Sequence, residues 1–193
     1  MRIFAPRRNG DRSRSPLPGA GRALAARLRS DERGATVIEF GLCVSAFVAL
    51  LLAATQTALV YFAQQNLQTS AEAMARKVLT GQVKSATVTA DQFKTTACTT
   101  LPAFMQCSKL IVDARSASSF SGIDTGVPQI TYDSNGKPTN TQFSIGTSGS
   151  IVILRLMYPW SVTRGTLGFK LSNQSGGLRL LIGTMVFKSE TFQ

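Results

Sequence analysis

Phe40 to Ala63 is a run of 24 residues without a single charge, rich in Leu, Val, Ala and Phe. As a helix rising 1.5 Å per residue it reaches about 36 Å, enough to cross a hydrocarbon core of about 30 Å with some tilt. The run therefore predicts a transmembrane helix and organises the rest of the chain around it. Residues 1–33 carry nine arginines against Asp11, Asp31 and Glu32, a net of +6 out of the chain's +11. A basic tail can bind nucleic acid by counterion release. Immediately before a membrane-length apolar run, the positive-inside rule is the simpler account. It keeps the arginines cytoplasmic, places everything after Ala63 on the far side of the membrane, and makes lipid, not nucleic acid, the expected partner.

Residues 1–33 are also rich in Gly, Pro and Ser, with Pro16, Pro18 and Gly19 as breakers, and read as disordered. Arg7 and Arg8 are followed by Asn9, Gly10 and Asp11 instead of apolar residues, which argues against a twin-arginine export signal. Cys98 and Cys107, with eight residues between them, fall in the exported part, where an oxidising compartment permits a disulfide. The chain has no histidine and only three cysteines, so a metal site has no ligand set to draw on. No cofactor is expected. Cys43 lies within the span and reads as a small hydrophobe. Leu42 stands where a lipoprotein processing site wants a small residue.

Past Ala63 the helical pattern continues. Leu67, Ala71, Met74, Ala75 and Val78 share one helix face, with Gln68, Glu72 and Arg76 on others. Gly81 is the expected stop, with Arg76 and Lys77 near the favourable end of the helix dipole. One helix over about 35–80 follows. From Gln82 onward the pattern changes to short β-like runs, the best being 110–112, 127–132, 151–158 and 178–187. Asp133, Ser134, Asn135 and Gly136 supply hairpin-turn chemistry. The last two runs carry most of the apolar residues and are expected to form the sheet centre, with the amphipathic extension against one face.

Gly34 is followed, after four intervening residues, by Glu39, at the point where the apolar run begins. An acid placed where a helix enters lipid is costly and calls for a partner. This segment resembles the processing site of type IV pilins and their relatives, in which a prepilin peptidase cuts after the glycine. The resemblance implies a mature chain starting at Ala35, with Glu39 fifth and Phe40 sixth. Unlike a secretory signal, such a leader precedes the apolar run, so the cut leaves the helix intact. The new amine of Ala35 lies one helical turn from Glu39, and the carboxylate is expected in the first turn, where the dipole favours negative charge. In the pilin family the glutamate meets a neighbouring subunit's amine and sets register. Read alone, Glu39 is an acid at headgroup depth, and the spacing to Gly34 gains weight only with the arginine-rich leader and the apolar run.

The string Arg33, Gly34, Ala35, Thr36, Val37, Ile38, Glu39, Phe40, Gly41, Leu42 resembles the start of the TadE-like family of tight-adherence (Flp, type IVc) pilus-assembly proteins. A Gln/Asn-rich helix with alanines follows, as in Gln64, Gln65, Asn66, Gln68, Ala71, Ala73 and Ala75. The resemblance covers about Arg33 to Val78, and Cys107-Ser108-Lys109-Leu110, Tyr158-Pro159-Trp160 and the closing apolar run look like longer members. Gly41 replaces the usual alanine, and the proline often found soon after is missing. The resemblance implies an α+β fold in which a long N-terminal transmembrane helix with an amphipathic extension precedes a small antiparallel β-rich, pilin-like periplasmic domain. Its parts are a cleaved cytoplasmic leader (1–34), a transmembrane helix (35–63), an amphipathic extension (64–81) and the periplasmic domain (82–193).

The same resemblance implies a minor pilin-like, non-enzymatic component of the inner membrane. Its partners are a prepilin peptidase, the major and other minor pilins, and the inner-membrane assembly platform. A C-terminal region of 112 residues is too large for that system's usually tiny major pilin. The rival role is an uncleaved bitopic scaffold whose arginine tail binds acidic lipid or an acidic partner. A membrane-tethered enzyme is disfavoured, because Asp91, Asp113, Asp124, Asp133 and Glu190 fall in no catalytic motif. Tyr158 and Trp160 flank Pro159 near a strand end, where core or rim packing is the expected role and a subunit interface the alternative.

Overall fold

The computed structural model describes residues 34–83, 87–162, 168 and 170–189; the arginine-rich segment 1–33 lies outside them. The chain divides into two units, Met1–Val48 and Ala49–Gln193. Helix α1 runs over Ala35–Leu79, 45 residues. In the first unit its residues are exposed on every side, Val37, Ile38, Phe40 and Leu42 among them. In the second unit a buried stripe begins at Val60 and continues through Ala63, Leu67, Ser70, Ala71, Met74, Ala75 and Val78. Its steps of three and four are the helical period, and all five residues expected on that face lie in it, while Glu72 and Arg76 stay exposed. The helix stops as its residues dictate: Gly81 adopts φ 71°, its N–H bonds the Val78 carbonyl at 3.1 Å, and Arg76 and Lys77 occupy the last turn.

A second helix, α2 (Ala90–Cys98), stands where the sequence reading placed β-like runs. Its signal was present as a capping box: Thr89 Oγ1 accepts from Gln92 N and Gln92 Oε1 accepts from Thr89 N. Phe93 and Ala97, one turn apart, are its buried residues, and the Phe93 ring lies 5.2 Å from that of Phe143.

Three antiparallel strands follow: β1 (Ile111–Ala117), β2 (Ile151–Ser161) and β3 (Leu178–Lys188), in the spatial order β1-β2-β3. The centre is thus β2 alone and β3 is an edge, which corrects the expectation that both would be central. Burial explains why. All eight residues Ile151 to Tyr158 are buried, as a strand covered on both faces requires, whereas β3 keeps exposed and half-buried positions along its length. The run 127–132 is not a strand either. Pro128 offers no N–H to a ladder, and only Tyr132 bridges Pro138, around a turn in which Asp133 Oδ1 accepts from Asn135 N and Lys137 N.

One face of the sheet, with Val152, Leu154, Leu156 and Tyr158, packs in a single core with the buried stripe of α1. Helix α1 also closes the β3 edge. Gln64 Nε2 donates to Ile182 O at 2.8 Å while its Oε1 accepts from Ile182 N at 3.2 Å. One turn later Gln68 repeats the pattern on Thr184, at 3.2 and 3.0 Å. Two side-chain amides thus stand in for a neighbouring strand, and they can do so because Gly183 lies between the bonded residues. A Cβ there would sit 2.6 Å from the Leu67 carbonyl oxygen.

The opposite face is covered by the segment after β1. Ile130 packs with Ile111, Met157 and Leu180. Arg155, 2 % exposed, stands opposite Asp113, 1 % exposed, in the strand register. Its guanidinium lies 3.7 Å from the carboxylate and donates to the carbonyls of Asp124 and Gly126. Asp113 accepts further from Arg115 Nε and from Gln142 N at 2.8 Å. A buried charge pair tied to backbone on both sides pins the covering segment to the sheet.

Candidate anchoring and assembly surface

Gly34 immediately precedes α1, whose first residue is Ala35. The bond expected to be cut is therefore the one at which the helix begins. Gly34 is exposed, and a Cβ on it would meet nothing within 4 Å. Ala35 and Glu39 are the first and fifth helical residues and share a face by the helical period. The first turn contains no acid, however, so Glu39 opens the second turn. Since the dipole's effect fades beyond the first turn, the expected dipole stabilisation is weak. Phe40 is exposed. Cys43 is free and exposed among the same apolar residues.

From Val37 to Leu52 the helix exposes Val, Ile, Leu and Phe side chains around its whole circumference. An 18-residue window within α1 reaches a mean hydropathy of 2.4 with none of it buried. Such a surface is not stable against water and needs an apolar environment, either lipid or other helices. Its few hydroxyls are satisfied internally: Ser45 donates to Leu42 O, Thr55 to Leu51 O and Thr57 to Ala53 O.

Where the apolar run ends, the folded body begins with a cluster of aromatic rings. Phe62 of α1 lies 5.6 Å from Phe104, which lies 6.1 Å edge-on from Trp160 at the end of β2. Tyr158 is buried and its hydroxyl accepts from Gln106 N at 2.9 Å, while Trp160 is half-exposed. Phe104 belongs to the loop closed by Cys98 and Cys107, which are disulfide-bonded with Cα atoms 5.4 Å apart. Sequence reasoning had singled out Trp160 and Tyr158 but missed Phe62 and Phe104. Their signal is positional: one ends the apolar run and the other sits inside a ten-residue disulfide segment. Among the described residues no group of three or more His, Cys, Asp or Glu is placed to hold a metal ion.

Among the described residues one helix is long and apolar enough to cross a membrane, and it leads into a small antiparallel α+β body, which defines the class of protein. Residues 34–76 match the family model described as TadE-like protein, which is what this segment of the chain is similar to. That family is not enzymatic in general. Neither the curated proteins nor the solved structures give a match.

Proposed function

We propose that the chain is a minor pilin-like (pseudopilin) component for assembly of a tight-adherence type IV pilus, made as a precursor and cut after Gly34 by a prepilin peptidase. The observation that carries this reading is the division of labour within α1. Its beginning, at Ala35, offers an apolar surface with one acid, Glu39, and its end forms the core of a folded body. After the cut, Ala35 bears a cationic amine. A carboxylate within the span costs about 2.5–3.5 kcal/mol at mid-helix and less near the interface. Pairing Glu39 with the amine of Ala35, in its own chain or in a neighbouring subunit, offsets that cost and fixes the axial register in which helices bundle. The leader stays in the cytoplasm, the helix spans the inner membrane, and the body from residue 82 onward is periplasmic. Major pilins, other minor pilins and the assembly platform are the partners, engaged through the apolar helix face.

The deciding experiment is intact mass and N-terminal sequence of the membrane-bound protein, with and without the prepilin peptidase. A chain starting at Ala35 only when the peptidase is present is the expected result. A chain that keeps residues 1–34 in both strains sinks the pilin-like reading and leaves an uncleaved bitopic scaffold, with its +6 tail on acidic lipid.

A further inference from the structure

We infer that the rim of the body formed by Phe62, Phe104 and Trp160 is a lipid-docking surface that seats the body on the headgroup–acyl boundary of the leaflet away from the arginine-rich segment. This inference rests on the reading of α1 as a membrane span.

Depth is the first argument. About 20 helical residues cross the hydrocarbon, and the uncharged run from Phe40 to Ala63 has 24. With Glu39 at the entry boundary, its last four residues pass beyond the acyl region. Tyr61 and Phe62, both exposed, then stand at headgroup level. Aromatic rings concentrate there in membrane proteins, because one part of the ring is apolar and the zone is wet.

The second argument is the rigidity of the loop that carries Phe104. It is closed by Cys98–Cys107, tied to α1 by Ser70 Oγ donating to Thr100 O at 2.9 Å, and tied to β2 through Gln106 N on the Tyr158 hydroxyl. Met105 beside it is 5 % exposed, yet Phe104 is 46 % exposed and Phe62 56 % exposed. A loop held at three points could have turned its phenylalanine inward; this one presents it beside Phe62 and Trp160. The apolar surface then continues along a cleft of about 150 Å³ between Leu59 and Val60 of α1 and Trp160 and Val162 past the strand end. The rim is thus continuous with the apolar surface of the proposed span, and that continuity selects bilayer over a separate soluble protein as the occupant.

Trp160 is the chain's one tryptophan and Cys43 its one free cysteine, so the full chain carries its own probes. Reconstituted in phosphatidylcholine–phosphatidylglycerol vesicles, with a bimane on Cys43, it is titrated with lipids spin-labelled at the headgroup, at the carbonyl end or at the methyl end of the acyl chain. The expected result is loss of Trp160 emission that is strongest with the headgroup and carbonyl-end labels and weak with the methyl-end label, together with quenching of the Cys43 bimane by acyl-chain labels. Phe104→Ser, which leaves Trp160 and the disulfide in place, is expected to weaken the shallow quenching of Trp160 without changing the bimane signal. Trp160 indifferent to every lipid label while the bimane is quenched overturns the docking surface and leaves the span standing. Trp160 shielded from both lipid labels and aqueous acrylamide assigns the rim to a second copy and also overturns it. A bimane that no lipid quenches overturns the span and the inference with it.

Discussion

The two parts of α1 use the same secondary structure for opposite ends. Up to Val48 the helix is exposed on every side and largely apolar, and Ala49, Ala53, Gln56 and Thr57 are only half-buried; from Val60 on, one stripe is buried and the other faces carry Gln65, Glu72 and Arg76. A surface apolar on every side must find its partner outside the chain, whereas a stripe one side wide finds it inside. Composition therefore codes for the anchor and periodicity for the core. The change between them is gradual, from half-burial at Ala49, Ala53, Gln56 and Thr57 to full burial at Val60 and Ala63, without a glycine, a proline or a break in the helix.

The largest effects should come from the body, because only there does loss of a side chain expose a cavity or a stranded charge. Asp113→Ala should cost about 3–5 kcal/mol, since it leaves the guanidinium of Arg155 buried without its counter-charge. Urea unfolding in detergent followed by Trp160 emission would measure it, and a loss below about 1 kcal/mol would mean that the pair does not hold the covering segment. Leu67→Ala, at a fully buried site, should cost about 2–5 kcal/mol in the same assay. Leu50→Ala, at a site 61 % exposed, should leave the midpoint unchanged. Equal effects at the two leucines would erase the distinction between anchor and core. Replacing Cys98 and Cys107 together by serine should lower stability by about 2–3 kcal/mol by the chain-entropy estimate, visible as a lower urea midpoint that added reductant does not shift further. Gln68→Ala should cost about 1–2 kcal/mol by unpairing the N–H and C=O of Thr184. Faster amide exchange at Thr184 than at Ile182, still held by Gln64, would check its local character.

The outcome at these sites mirrors what could be read from the sequence. The buried stripe of α1 and its glycine stop were legible because both are local and periodic. Helix α2 was overlooked although Thr89 and Gln92 spell its start, since a nine-residue helix carries only two buried residues and little periodic signal. The strand order was misjudged because apolar content alone does not tell a strand covered on both faces from an edge covered by a helix. That β3 is an edge becomes clear only through Gln64 and Gln68, which are 118 and 116 residues from their backbone partners. The partnership of Asp113 with Arg155 was likewise invisible, because it depends on register between strands 42 positions apart. At the anchoring surface, Gly34, Ala35 and Glu39 were legible as a motif, whereas the meeting of Phe62, Phe104 and Trp160 required the fold.

The glutamine pair on β3 has a counterpart across the sheet, where Ala114 of β1 exchanges backbone hydrogen bonds with Gln142 and Ser144, each at 2.8 Å. Each margin of the sheet is therefore occupied over part of its length, β3 at Ile182 and Thr184 by side-chain amides and β1 at Ala114 by the chain's own loop, which interrupts the row of backbone groups an added strand would need. Crowding many copies together is therefore not expected to zip their bodies by strand addition. In the assembly proposed above, contact between copies is thereby left to the exposed apolar stretch of α1.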